Sequence, residues 1–117
     1  MTDFLDLCRL KGTDPQFLDF IRRQPSCLTG NWSEWLGDIG EWRNPACHVR
    51  RAATFGTAFK ADFSAVPMTQ TEHLLQSNRG EAAVLNRYLT FKGWTNQLAK
   101  EFFDKQVIRY RKLWLMT

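Results

Sequence analysis

Hydrophobic residues in the first quarter of the chain fall at helical spacing. Thr13-Asp14-Pro15 is a helix start, a capping residue followed by proline in the first turn. Phe17, Leu18, Phe20 and Ile21 follow on one face, and Pro25 ends the run because the residue before a proline avoids the helical region. Residues 26–46 lose that periodicity. Gly30, Gly37, Gly40 and Pro45 interrupt it, and Trp32, Trp35 and Trp42 are spread through it. The segment reads as loop-rich and pinned by tryptophans, with room for short strands. Between 47 and 68, His48-Val49-Arg50 and Ser64-Ala65-Val66-Pro67 read as short β pieces separated by a glycine loop.

Helical signals then return. Thr69-Gln70-Thr71-Glu72 fits a capping box, a hydroxyl residue with Glu three positions later. It predicts a helix over about 70–78 that stops near Gly80. Ala82, Ala83, Leu85 and Leu89 predict a second helix over about 81–90, and Gly93 breaks the pattern. A last helix, about 95–114, carries Leu98, Phe102, Val107, Ile108 and Trp114 near one face. The order predicts an α+β fold: a small irregular β-hairpin and a helix, flanked by N-terminal and C-terminal helices. A chain of 117 residues supports one hydrophobic core, so 1–117 reads as a single domain.

Composition narrows the class. Apolar residues are 44% and charged residues 24%, and the 5 Trp, 2 Tyr and 9 Phe need an interior, which excludes disorder as the main state. No apolar run approaches the roughly 18 residues of a membrane span. Met1-Thr2-Asp3-Phe4-Leu5-Asp6 lacks the basic-then-apolar order of a signal peptide, so the expected location is cytoplasmic. Cys8, Cys27 and Cys47 are an odd number with no CxxC pair, which argues against a disulfide framework, a zinc ribbon or a thioredoxin-type centre.

The net charge of +4 is unevenly spread. Residues 25–42 hold only Glu34, Asp38 and Glu41, whereas 43–60 hold Arg43, Arg50, Arg51 and Lys60 with no acid. The stretch 100–112 is basic as well. A basic middle and tail suggest a polyanion partner, with a solvated, unevenly charged surface as the plain alternative.

Four features gather between 47 and 77: Cys47-His48 opening a β piece, Arg50-Arg51 after it, a small-residue loop with Gly56 and Lys60, and His73 on the capped helix. On a helix, positions 73 and 77 share a face one turn apart, the spacing with which two side chains hold one metal ion. Residue 77 is Ser. The stretches Ala46-Cys47-His48-Val49-Arg50-Arg51, Gly56-Thr57-Ala58-Phe59-Lys60 and Ser64-Ala65-Val66-Pro67-Met68, running into the helix with His73, resemble the HNH endonucleases. The catalytic core of that family is a two-stranded hairpin and a helix folded round one metal ion (ββα-metal). More narrowly, the order resembles small phage proteins related to the recombination-enhancement nuclease. The resemblance covers about residues 25–80 and leaves the helical part at 81–117 outside it.

The resemblance implies a metal-dependent DNA endonuclease of phage or prophage origin, hydrolysing phosphodiester bonds in recombination. His48 matches the general base that activates water. Cys47, His73 and position 77 match metal-ligand positions, for zinc, magnesium or manganese. Arg50, Arg51 and Lys60 would contact the phosphate backbone. On a strand of period two only one of Arg50 and Arg51 faces a given side. The sequence departs from the pattern at Ser77, since an alcohol is a poor neutral ligand, and at Cys47, whose thiolate suits zinc but not magnesium. The alternative is a catalytically impaired relative that binds nucleic acid or protein. For Trp32, Trp35 and Trp42, packing is preferred to base stacking.

Overall fold

A computed structural model describes residues 3–33, 43–49, 51–52, 58–59 and 62–117, with the side chains of 51–52 and 58–59 excepted. The chain is α+β, as its pattern predicts. Helices α1 (Leu5–Lys11) and α2 (Asp14–Arg22) come first, then strands β1 (Ala46–His48), β2 (Arg51–Ala52), β3 (Ala58–Phe59) and β4 (Ala65–Pro67). Helices α3 (Gln70–Arg79), α4 (Glu81–Tyr88) and α5 (Asn96–Leu115) complete it. The described part of 26–45 holds no strand; residues 34–42 lie outside the described residues.

Helix α1 carries no clear sequence signal. It has seven residues, and Phe4 before it supplies no side-chain cap. Tertiary contacts hold it instead. Asp3 Oδ1 accepts from Leu5 N (3.1 Å), Cys8 is buried, and Lys11 Nζ donates to the carbonyls of Trp114 (2.6 Å) and Thr117 (3.0 Å). That last contact places a cation at the C-terminal end of α5, where the helix carbonyls lack partners. Helix α2 starts as its sequence dictates, with Thr13 accepting from Gln16 N and Gln16 reaching back to Thr13 N.

The hairpin is two short ladders joined by a bulge. Ala46 pairs with Pro67 and His48 with Ala65; further out Arg51 pairs with Phe59 and Ala52 with Ala58. His48 to Arg51 is three steps while Ala65 back to Phe59 is six, so the returning strand carries extra residues. Phe63 is among them, at φ 57°. A bulky side chain in the left-handed region costs about 1–2 kcal/mol, and the surroundings hold it there from three sides. Its ring packs against Phe17 and Trp114, each with centroids 5.6 Å away. Its N–H donates to Asp14 Oδ1 (2.8 Å), and its carbonyl accepts from the buried Arg111 Nε (2.6 Å).

The core forms where α2 and α5 pack on the β1–β4 pair, and α4 fills the space between α3 and α5. The buried side of α5 is Ala99, Phe103, Val107, Tyr110 and Trp114. This corrects the predicted face: Leu98 is exposed, and Phe102 and Ile108 are only half-buried. Two adjacent phenylalanines made the choice ambiguous, and Ala99 is too small to mark the inner face.

The capping box at Thr69 is also a tertiary knot. Thr69 Oγ1 accepts from Glu72 N (3.2 Å), and Glu72 Oε1 accepts from Thr69 N (3.0 Å). The Glu72 carboxylate is 2% exposed and also accepts from Ser26 Oγ (2.5 Å) and Thr29 Oγ1 (2.7 Å). Beside it, Ser33 Oγ accepts from Gln70 N (2.9 Å), and Asn44 Oδ1 accepts from both Ser33 N and Ser33 Oγ. Thr69→Ala is expected to lower stability by about 1 kcal/mol, as the loss of a cap does. Glu72→Ala is expected to cost about 3 kcal/mol, because it strands buried donors that a charged acceptor now satisfies. Urea unfolding of the two variants checks this, and equal losses would mean that Glu72 acts only as a cap.

Candidate functional site

The β4–α3 junction sets the site. Pro67 ends the ladder, Thr69 caps α3, and the helix runs back alongside β1. Alternation along β1 then sorts its side chains. Cys47 and Val49 point into the core, at 1% and 5% exposure, and half-buried His48 points to the other face. There His48 meets His73, Gln76 and Ser77 from α3, and Gly80 and Glu81 from the α3–α4 junction, in a cleft of about 520 Å³. His73 and Ser77 lie one turn apart on the same side of α3, as their spacing predicts. His73 Nδ1 lies 3.2 Å from Gln76 Oε1, which orients the imidazole.

Gly80 closes the cleft at the bottom. Its φ of 94° and ψ of 174° are open to glycine almost alone, and they let α3 end and α4 begin at one residue. A Cβ there would meet nothing within 4 Å, so the requirement for glycine is conformational rather than steric.

The structure brings His48, His73 and Ser77 together and separates Cys47 from them. Cys47 Sγ donates to Pro45 O (3.5 Å) inside the core. Burial, with Cys27 and Glu72 nearby, pushes its thiol well above the ordinary value, so the thiolate that would bind metal is disfavoured at neutral pH. The expectation of Cys47 as a ligand alongside His73 and Ser77 therefore finds no support in the geometry. Period-two alternation could have shown it, since residues 47 and 48 of one strand cannot share a face. Arg50 and Lys60 lie outside the described residues; Arg51 begins β2, and its side chain also lies outside them.

Sequence reasoning missed Glu81 and Gln76. Glu81 brings a carboxylate to the histidines, and its only sequence signal was its position directly after Gly80. Among the described residues, no three His, Cys, Asp or Glu side chains are gathered closely enough to hold a metal ion. His48, His73 and Glu81 thus line one cleft without forming a ligand trio.

Nothing outside the chain matches it: comparison with protein-family models, with curated proteins and with solved structures finds no relative. Among the described residues, no helix is long and apolar enough to cross a membrane.

The buried thiols give the fold a pH dependence of definite sign. Burial first, and Glu72 second, raise Cys27 from 9.0 to about 12, and Cys47 and Cys8 are raised in the same direction. Burial likewise raises Tyr110 from 10.0 to about 12. Above pH 9 the unfolded chain releases thiol protons that the folded chain keeps. Stability from this source is therefore complete below about pH 9 and falls as pH rises toward the folded values, by about 1.4 kcal/mol per pH unit for each thiol. Urea midpoints measured between about pH 8 and about pH 11 should decline, and the Cys27→Ala/Cys47→Ala double variant should show a shallower decline.

Proposed function

We propose that the chain is a DNA endonuclease that works in the cleft between β1 and α3, with His48 as the general base. The observation that carries this is the meeting of His48 from the hairpin with His73 from the helix that follows it, in one open cleft. An imidazole accepts a proton at neutral pH, so His48 can take one from a water that attacks phosphorus. His73, held at Nδ1 by Gln76 Oε1, faces the same space, and as an imidazolium its Nε2–H can donate a hydrogen bond to a phosphate oxygen. The basic run of Arg50, Arg51 and Lys60 in the sequence between β1 and β4 supplies attraction for a polyanion.

The resemblance to HNH enzymes implies a divalent metal, and the donors in the cleft do not fit one as they stand. Cys47 faces the core, Ser77 is a neutral alcohol, and no donor trio is formed among the described residues. No step of hydrolysis is therefore assigned to a metal. The same observation favours a second reading, a module that binds DNA in this cleft without cleaving it.

Three measurements separate the readings. DNA binding should weaken by roughly tenfold or more between about 50 and about 200 mM salt, and no binding at low salt would remove both. His48→Ala should abolish cleavage and leave DNA affinity nearly unchanged, since the base acts on water in the transition state. Ser77→His adds an imidazole one turn from His73 and should raise zinc affinity by calorimetry and create or increase cleavage. A folded Ser77→His protein with unchanged metal affinity would mean that positions 73 and 77 do not frame a metal site, and a wild-type chain that binds DNA without cleaving it would leave the binding module as the function.

A further inference from the structure

A second cleft, of about 450 Å³, lies at the opposite end of α3. Trp32 and Tyr88 line it, together with Asn31, Gln70 and Thr71. Trp32 is 36% exposed and lies outside the buried core. Tyr88 closes α4 and carries the Arg87 guanidinium 5.6 Å from its ring centroid.

The chemistry of the lining selects the occupant. A phosphate does not suit the base of this cleft. The N–H groups of Gln70 and Glu72 are already taken by Ser33 and Thr69, and the Glu72 carboxylate stands among them. The walls suit a flat, neutral ring with polar edges. Trp32 and Tyr88 offer aromatic surface. The side-chain amides of Asn31 and Gln70 have no hydrogen-bond partner among the described residues, and each carries both a donor and an acceptor. Arg87 has no carboxylate partner among the described residues, and its guanidinium puts a positive charge beside Tyr88.

Helix α3 links this cleft to the first. His73 and Ser77 follow Gln70 and Thr71 by two to seven residues, about 3 to 10 Å of rise along the helix, on the scale of one or two nucleotides. We propose that the Trp32–Tyr88 cleft receives an unpaired nucleobase of a DNA strand whose neighbouring phosphate lies at His48 and His73. This rests on the DNA reading of the first cleft and adds the form of the substrate. A base in a duplex is stacked on both sides and cannot enter such a cleft without being flipped out, so the partner is single-stranded or locally unpaired DNA.

The test is fluorescence anisotropy of the full-length chain with a labelled oligothymidine and with a labelled duplex of equal length. The single strand should bind about tenfold or more tighter than the duplex. Trp32→Leu should weaken single-strand binding by about 5- to 100-fold, the effect of losing one base–aromatic stack, and leave duplex binding unchanged. Tyr88→Phe keeps the ring and should bind as wild type does, whereas Gln70→Ala should weaken single-strand binding with the fold intact by circular dichroism. Equal affinity for single strand and duplex, or a folded Trp32→Leu protein with undiminished single-strand binding, overturns the proposal while leaving the endonuclease reading standing. Binding to neither form overturns both.

Discussion

The Glu72 carboxylate joins the start of α3 to the irregular segment before β1, two parts of the chain that must come together before there is a cleft at either end of α3. It caps α3 through Thr69, and it receives hydroxyl protons from Ser26 and Thr29 in the irregular segment. A carboxylate with almost no solvent exposure is costly unless its lone pairs are filled, and here both hydroxyl donors come from one stretch more than 40 positions away in sequence. The start of α3 is therefore fixed relative to residues 26–33. Cys27 N donates to Pro67 O (2.9 Å), which ties the same segment to the end of β4. Both clefts are consequences of this arrangement, since one opens where α3 begins and the other where it ends.

The hairpin answers to a different constraint. Its ladders cannot run straight through, because the Phe63 side chain enters the core from the returning strand and its backbone adopts a conformation bulky residues avoid. Arg111 from α5 and Asp14 from α2 hold that bulge by its carbonyl and its amide. The register of β1 against β4 is thereby anchored from helices at both ends of the chain, and with it the direction in which His48 points. A one-residue slip would exchange Cys47 and His48, bury an imidazole and expose a thiol. The catalytic reading of His48 depends on this register more than on any contact the imidazole itself makes.

Local chemistry was legible in the sequence and long-range chemistry was not. The capping box at Thr69, the proline stop at Pro25 and the glycine end at Gly80 each act through a few neighbouring residues, and the elements they bound lie within about two residues of their expected positions. Helix α1 escaped because tertiary contacts hold it: Cys8 in the core and Lys11 on the end of α5 have no pattern of their own. Glu72 was legible as a cap, but its partners Ser26 and Thr29 were not, because nothing local marks a serine as the donor to a carboxylate 46 positions away. The pairing of His48 with His73 came from the order of motifs, and their shared cleft agrees with it. Cys47, a ligand position by the resemblance, faces the core instead, because successive residues of a strand point to opposite faces.

The two clefts also bear on whether the chain cleaves DNA or only holds it. Cleavage requires the attacking water, the phosphorus and the leaving oxygen to be in line, and a strand fixed only at its phosphate is free to rotate out of that line. On the proposed reading an enzyme gains from gripping the strand away from the chemistry, and the cleft lined by Trp32 and Tyr88 at the start of α3 is suited to do so. The weakness lies in stabilising the leaving oxygen. The described residues offer His73 and Glu81 for that part of the site, and the carboxylate would repel a developing negative charge. The positive charge needed there has to come from a cation, and Arg50 and Arg51 are the nearest to His48 in sequence. On the proposed reading, how far hydrolysis proceeds is then set by whether positive charge reaches a phosphate at the His48 cleft.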